Sequence, residues 1–406
     1  MNDLKLAWRN IWRNKRRTLL TVASIFLAIF LALIVRSLQV GWFDRLIEIT
    51  VNSYTGHIQL HKKGYWVDKD INNSMVFGDS LTNLIQSMGN VDKTVPRLEY
   101  FALSSFRNQT KGVMLMGTNP GMEDEMTHLA AKVTKGSYLT GEGEGILVAE
   151  GLATYLGLTA GDTLVLIGQG YHGTGAAGKF PVSGLVRFPS PQLNNQVVFM
   201  NLPLAQDFFS TENRITSLSI TLKNADEIEN TLATLRSHPA TSGFEVMRWD
   251  EMMTELMQTL KVKTAGGMII LSILYMIVGF GIFGTVIMMT NERLREFGVV
   301  ISVGMQKSRL AAILVMEMLF IGLTGILSGV VGAMPILVWY HFYPLRLGGE
   351  MGEAFINFGI EPLMPLALKP GLILSNVMVV VVIVLVTSIY PVRKILKLKV
   401  AEALHQ

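Results

Sequence analysis

The hydrophobic positions along this chain follow two kinds of pattern. Four long runs contain no charged residue, over residues 18–35, 264–291, 318–345 and 370–392. Each run reaches about 18 residues or more, the length at which an apolar segment predicts a transmembrane helix. Between the first two runs, apolar and polar residues alternate over short stretches, as is typical of strands. The pattern therefore predicts an integral membrane protein with a large folded domain between its first two spans.

Two similar units of strand, helix and strand are predicted near the two ends of that domain. The segments of the first unit are 56–61, 81–88 and 97–105, and those of the second unit are 215–222, 225–236 and 244–248. The insertion between the two units is rich in Gly and contains strand signals at 163–167 and 196–200. We expect an α+β domain of two subdomains, in which the flanking units lie nearest the membrane.

Positive charge concentrates at three places outside the apolar runs. Six basic residues precede the first run against one acid, Asp3. Segments 292–309 and 391–406 also carry a basic excess, whereas residues 41–263 carry 18 basic and 23 acidic residues. Because Lys and Arg accumulate in cytoplasmic loops, the basic stretches, including both termini, are predicted to be cytoplasmic. The protein is thus expected in the cytoplasmic (inner) membrane, with the large domain outside the cytoplasm.

The spans and the charge pattern together divide the chain into nine predicted segments. In order, they are a cytoplasmic amphipathic helix (1–17), transmembrane helix 1 (18–40), the extracytoplasmic α+β domain (41–263, with a membrane-proximal subdomain at 41–105 and 215–263 and an insertion at 106–214), transmembrane helix 2 (264–290), a cytoplasmic coupling segment (291–309), transmembrane helix 3 (310–338), an extracytoplasmic loop (339–370), transmembrane helix 4 (371–392) and a cytoplasmic tail (393–406). The first segment is assigned as amphipathic because its apolar and basic residues follow different helical faces.

Composition agrees with this assignment and excludes several kinds of site. Hydrophobic residues make up 50% of the chain and charged residues 16%, against about 25% charged residues in soluble domains. The chain contains no Cys, which excludes disulfides, thiolate metal sites and Cys nucleophiles. The net charge of +4 belongs to the cytoplasmic edges, so no nucleic-acid partner is predicted.

Two candidate motifs in the outward domain fail on their context. Segment 168–179 matches both GxGxxG and the start of a phosphate loop, but Phe180 stands where Ser or Thr is required, and Pro181 blocks the helix that should follow. A flexible Gly-rich hairpin loop is predicted there instead. His57 and His61 lie four residues apart in a strand-like segment, so structural histidines are favoured over metal ligands. We predict no catalytic residue, no metal site and no directly bound cofactor.

A carboxylate, Glu317, lies at the edge of the third apolar run. An intramembrane acid is expensive to bury and suggests a function such as an ion relay. Glu317 lies only eight residues beyond Arg309, so it can also stay near the cytoplasmic interface and form a local ion pair; both interpretations stay open. Four glycines follow it at helical spacing and would allow close helix approach, within one chain or between chains: Gly322, Gly325, Gly329 and Gly332.

Four segments spread over nearly the whole chain resemble the FtsX/MacB-like (type VII) permeases of ABC transporters. Residues 6–10 (LAWRN) with 16–20 (RRTLL) are similar to the opening of that family, and 296–298 (EFG) with 303–304 (VG) to its cytoplasmic loop. Glu317 matches an acid early in the third helix. Pro391 with 402–404 (EAL) resembles the closing pattern, with Val400 in place of its second proline. Within that family, segments 56–58, 204–206 and 215–218 look most like lipoprotein-releasing permeases.

The resemblance implies a division of labour between subunits. A separate ATP-binding cassette subunit would hydrolyse ATP, so the chain itself is not expected to be an enzyme, and a second permease chain, identical or different, would complete the transporter. The residues implied in coupling to the ATPase are Glu296, Phe297, Gly298, Val300, Val303 and Gly304. Tyr171 and His172 would lie in a partner loop that contacts a lipoprotein or a soluble acceptor.

Other functions remain open at this point. Within the same family, the chain could be an efflux permease for peptides or drugs, or a regulator of cell-wall enzymes. Outside the family, a membrane-anchored sensor would need a cytoplasmic signalling domain, and the cytoplasmic segments are too short for one. A secondary transporter would need paired intramembrane ionisable groups, and only Glu317 is available. A membrane-anchored enzyme would need a catalytic constellation, and none emerges.

Overall fold

The computed structural model of this chain describes residues 3–13, 15–141, 143–357 and 362–398. Val400, residues 402–404 and the end of the predicted cytoplasmic tail lie outside the described residues. The chain divides into two compact units, a helical unit and an α+β unit. The helical unit comprises Met1–Arg45, Thr259–Arg346 and Leu363–Gln406, and the α+β unit comprises Leu46–Gln258 and Leu347–Pro362.

The described residues form helices α1 to α15 and strands β1 to β14. The helices are α1 (Asp3–Arg13), α2 (Lys15–Thr50), α3 (Tyr65–Asp68), α4 (Asp79–Gln86), α5 (Pro120–Thr127), α6 (Glu150–Leu156), α7 (Pro191–Gln196), α8 (Leu202–Phe209), α9 (Ile228–Ser237), α10 (Trp249–Met252), α11 (Thr254–Glu292), α12 (Leu294–Ser302), α13 (Lys307–Phe342), α14 (Gly349–Asn357) and α15 (Pro370–Leu396). The strands are β1 (Ile58–Lys62), β2 (Met75–Val76), β3 (Val91–Phe106), β4 (Gln109–Thr118), β5 (Val133–Gly136), β6 (Ile146–Ala149), β7 (Thr163–Gln169), β8 (Gly175–Val186), β9 (Val197–Asn201), β10 (Arg214–Ile215), β11 (Ser217–Leu222), β12 (Phe244–Arg248), β13 (Leu345–Arg346) and β14 (Leu363–Met364).

Four helices, α2, α11, α13 and α15, are long and apolar enough to cross a membrane. They contain the four apolar runs almost completely, so the prediction of a four-helix membrane protein with an α+β domain is confirmed. α2 and α11 are longer than the runs, with 36 and 39 residues, because their intrahelical hydrogen bonds continue into polar sequence beyond a bilayer-length segment.

The glycines of α13 pack against helices of the same chain. A Cβ placed on Gly325 would lie 2.6 Å from the Cβ of Ile25 on α2, and one on Gly329 would lie 2.8 Å from that of Ile29. These distances are too short for any side chain, so α2 and α13 approach closely along this glycine pair. The structure therefore places this part of the stripe within one chain, which the sequence left undecided.

The α+β unit is built on a ten-stranded sheet with the order β12-β1-β11-β3-β4-β9-β6-β8-β5, and β7 pairs with both β3 and β8. The pairs β4–β9 and β6–β8 are parallel, and the other pairs of this sheet are antiparallel. Both predicted strand–helix–strand units are present at nearly the predicted positions, as β1–α4–β3 and β11–α9–β12. The sheet is continuous from these strands into the insertion, because the 16-residue strand β3 pairs with strands from both parts.

Buried Arg97 holds this sheet both to α5, through an ion pair, and to the π-helical turn Val51–Thr55 that precedes β1. Arg97 on β3 is fully buried and donates two hydrogen bonds to Glu123 on α5, at 2.8 Å and 2.6 Å. The same guanidinium donates to the backbone carbonyl of Tyr54 and, at 3.1 Å, to Ser219. The Tyr54 hydroxyl donates to Glu99 at 2.9 Å. Arg97 therefore joins β3, α5, β11 and the turn. Its charge is compensated by the Glu123 carboxylate, and its other hydrogen bonds go to Tyr54 and Ser219.

The predicted topology can be tested at the turn between β3 and β4, where Asn108 is exposed. Because the chain has no Cys, Asn108→Cys introduces a single reactive thiol on a surface turn. We expect this thiol to react with a membrane-impermeant reagent in intact spheroplasts, since the basic flanks predict that residues 41–263 lie outside the cytoplasm. Labelling only after lysis would place this domain inside the cell.

Candidate functional site

The predicted coupling segment forms a short helix between two helices of membrane-spanning length. α11 ends at Glu292, Arg293 leaves the helical region (φ −98°, ψ 7°), and α12 begins at Leu294. Gly304 follows α12 with φ +107°, a left-handed conformation that Gly adopts without the steric cost of a Cβ. The segment is therefore a separate element that is joined to α11 by a break and to α13 by a glycine turn.

The apolar residues of this segment divide between a buried face and an exposed face. Phe297 is only 2% exposed, and Gly298 beside it is also buried. Val300 is half-buried, whereas Val299 is 46% and Val303 84% exposed. An open groove of about 600 Å³ is lined by Val299, Val300, Val303, Gly304, Met305, Gln306 and Arg309. Phe297 thus packs inside the helical unit, and the valines are the residues that an external partner can reach.

Acidic residues of the segment pair with arginines of the N-terminal helices. Glu296 forms an ion pair with Arg13 of α1 and a longer one, at 3.5 Å, with Arg293. Partial burial raises the pKa of Glu296, but the hydrogen bond from Arg13 and the charges of Arg13 and Arg293 outweigh it and hold this pKa below its ordinary value. Glu292 pairs with Arg17 of α2. The ends of α11 and α12 are therefore tied to α1 and α2 by charge.

Glu317 lies on α13 with 2% exposure and has two polar partners. One carboxylate oxygen accepts from the side-chain amide of Asn10 at 2.6 Å, and the other accepts from Arg293 at 2.7 Å. The local ion pair considered from the sequence is therefore formed. Asn10 and Arg293 were not among the predicted site residues. Both residues could have been sought from the sequence, because a buried carboxylate such as Glu317 needs a cation and a hydrogen-bond donor.

Tyr171 and His172 occupy the turn between β7 and β8. The flexible loop predicted over residues 168–179 is wrong in extent: Gly168 pairs with Ala176 and Val165 with Lys179, so most of the segment is strand. The remaining turn is held by contacts with neighbouring segments. The His172 amide donates to Asn72 at 2.8 Å, and the Arg214 guanidinium stacks 4.7 Å from the Tyr171 ring. The His172 side chain is exposed.

His61 on β1 and His57, which directly precedes β1, lie in different environments. His61 is fully buried, its Nδ1 lies 3.2 Å from the carbonyl oxygen of Thr216, and its ring stacks on Tyr65. Burial lowers the pKa of His61 to about 4, so the ring is neutral at pH 7. His57 instead accepts from the Leu222 amide at 3.3 Å. Within the described ranges, no group of three or more His, Asp or Glu side chains is arranged to hold a metal.

Comparison with known proteins gives a family match to the C-terminal third of the chain and relatives that cover most of its length. Residues 268–400 match the family described as FtsX-like permease C-terminal. The chain is 21% identical over 401 residues to the lipoprotein-releasing system transmembrane protein LolC of Neisseria meningitidis serogroup B, covering 96% of this chain and 94% of that protein. It is 23% identical over 309 residues to LolC of Xylella fastidiosa strain 9a5c, covering 72% of each.

Two solved structures are similar to about half of this chain. One is the periplasmic region of MacB from Actinobacillus actinomycetemcomitans, with a TM-score of 0.36 and 13% identity, covering 52% of this chain and 97% of that one. The other is the extracellular domain of the noncanonic ABC-type transporter YknZ from Gram-positive bacteria, with a TM-score of 0.34 and 14% identity, covering 48% of this chain and 100% of that one.

Proposed function

We propose that this chain, an ABC transporter permease of the FtsX and MacB kind, receives ATP-driven movement from a separate ATP-binding subunit and delivers it to its outward domain. The chain has no complete phosphate-loop motif of its own, and the resemblance to this family implies a separate ATP-binding subunit as its partner. ATP would therefore bind on the partner subunit. A second permease chain, identical or different, completes the assembly in this proposal, with the termini in the cytoplasm.

The groove beside α12 is the observation that carries this proposal. Its lining includes three valines, Val299, Val300 and Val303, together with Arg309. Valines exposed by 46% and 84% on a charged, predicted cytoplasmic segment are costly to leave in water and suit an apolar side chain of a docking partner. The ion pairs Arg13–Glu296 and Arg293–Glu317 fix the position of α12, so that movement of a docked partner would be transmitted through it.

The substrate we propose is a lipoprotein that is released from the outer face of the membrane. The support is the similarity to LolC proteins, which at 21% identity extends over nearly the full length of both chains. Efflux of peptides or drugs and regulation of cell-wall enzymes are the alternatives within the same family.

Release can be measured directly in vesicles that contain this chain, its ATP-binding subunit, the second permease chain and a fluorescent lipoprotein. ATP should move the lipoprotein into the soluble fraction together with a soluble acceptor, and a non-hydrolysable analogue should not. Robust ATP hydrolysis without any release, in the presence of acceptor, would favour one of the alternative substrates.

The turn at Tyr171 and His172 is the proposed contact for a soluble acceptor. Replacing residues 170–174 by a two-residue turn should abolish acceptor binding, because it removes the exposed His172 ring and the ring of Tyr171 while keeping the β7–β8 pairing. Acceptor retention on the immobilised transporter measures this effect. The matched control is Asn72→Ala, which keeps both rings and removes the hydrogen bonds of the Asn72 side chain to the His172 amide and to Asp70. Full binding by the shortened chain would show that the turn is dispensable.

A further inference from the structure

One buried carboxylate joins three elements of the helical unit. Glu317 belongs to α13, Asn10 to α1, and Arg293 to the break between α11 and α12. The two carboxylate oxygens are used by different elements, Oε1 by Asn10 at 2.6 Å and Oε2 by Arg293 at 2.7 Å. With 2% exposure at Glu317, water cannot replace either partner without opening the packing.

The break at Arg293 is the place where α12 could rotate independently of α11. Arg293 has non-helical torsion angles, as expected of a hinge residue at the end of an element. Its guanidinium is held by Glu317, lies 5.1 Å from the centre of the Phe297 ring, and reaches Glu296 at 3.5 Å. Arg293 thus contacts Glu296 and Phe297 on α12 and Glu317 on α13.

Two further contacts tie α1 to the same place. Ile11 of α1 and Phe297 of α12 are buried in one apolar cluster with Leu310 of α13, and Arg13 pairs with Glu296. The Arg13–Glu296 pair is about half exposed on both sides, so solvent screening leaves it a small contribution. Of the two polar contacts, the buried one at Glu317 is therefore the more costly to break when α1 and α12 separate.

We propose that Glu317 is a positioning residue that locks α1, α12 and the start of α13 into one rigid element. On this account, which rests on the proposed function for its consequence, the ATP-binding subunit moves α1 together with α12 and does not move α12 alone. The exposed side chains of Arg9 and Arg13 on α1 then belong to the moving body. A proton or ion relay at Glu317 would need a carboxyl group that can exchange a proton or ion, whereas the positioning role needs only the two hydrogen bonds.

Two substitutions at Glu317 separate the locking role from a relay. Glu317→Gln removes the charge but keeps an acceptor for Arg293, and its amide can still bond to Asn10 after the Asn10 amide turns over. Glu317→Ala removes both bonds. A lock should therefore tolerate Gln far better than Ala, whereas a relay should be lost equally in both variants.

The lock can be measured on the purified full-length chain in lipid nanodiscs, without any ATP-binding subunit. Because the chain has no Cys, Arg9→Cys on α1 and Ser302→Cys at the end of α12 provide two spin-label positions, both exposed. Pulsed electron spin resonance should give one narrow distance distribution in the otherwise unchanged chain and with Glu317→Gln. Glu317→Ala should lose this single narrow peak.

Two more variants keep the test decisive if Glu317→Ala folds poorly. Asn10→Leu leaves the Arg293–Glu317 pair in place and should also lose the narrow peak, because it removes the hydrogen bond from α1 to Glu317. In the exchanged pair Glu317→Arg with Arg293→Glu, an ion pair between the same two positions is kept, and the narrow peak should be present. A narrow peak in Asn10→Leu, or a broad distribution in the unchanged chain, would overturn the proposal. Since no ATPase is present, either result is independent of whether the proposed function is correct.

Discussion

Val303→Asp is expected to abolish recovery of the ATP-binding subunit with this chain, while the chain itself still inserts and folds. Val303 is 84% exposed at the groove beside α12, so a carboxylate there costs the isolated chain little. In a docked complex the same carboxylate would be buried without a partner, which costs about 3–5 kcal/mol. A loss of that size weakens binding by roughly two to four orders of magnitude.

A matched control for this variant exists in the other unit. Val67 on α3 is 83% exposed, so Val67→Asp makes the same chemical change at the same exposure far along the sequence from the groove. It should leave subunit recovery unchanged. Equal recovery from Val303→Asp and Val67→Asp, measured by affinity purification of the chain, would mean that the groove is not the docking surface.

Arg97→Met should destabilise the α+β unit more than any surface change. It leaves Glu123 buried with 1% exposure and without its cation, and breaking such a pair typically costs about 3–5 kcal/mol. The loss should appear as faster hydrogen exchange of the β3 and β4 amides in the purified full-length chain, because exchange reports the local opening free energy.

The double variant Arg97→Met with Glu123→Leu provides the control. Removing both charges also removes the uncompensated carboxylate, so most of the protection should return. If the single and double variants exchange equally fast, the ion pair is not what stabilises this region. If neither variant changes exchange, the sheet is held by its apolar core alone.

The spans and the strands β1, β3, β7, β9, β11 and β12 could be predicted because each depends on a local pattern. The apolar runs and the alternation at 244–248 reflect burial that repeats every turn or every second residue, and β12 occupies the predicted residues. The pairing of β8 with β7 could not be predicted from its Gly-rich sequence. In that hairpin, the register and the burial of Ala176 depend on a neighbouring strand and not on local propensity.

The sequence predicted where the candidate site lies along the chain, but it did not predict which of its residues are buried and which are exposed. Motif resemblance identified the segment around α12, yet nothing local distinguishes the buried Phe297 from the exposed Val303, because the helices that cover Phe297 come from other parts of the sequence. The same holds for Glu317, whose partner Asn10 lies 307 positions away. Long-range pairing of polar groups has no periodic signal in a single sequence.

The most direct test of the central claim is purification of the unchanged chain from its own membrane under mild detergent, followed by assay of the eluate for ATPase activity and nucleotide-binding subunits. The account predicts that an ATP-binding cassette subunit elutes with the chain in a fixed ratio and that the ATPase activity follows it. Recovery of intact, folded chain with neither the subunit nor ATPase activity, under conditions that preserve a reference ABC transporter, would contradict it.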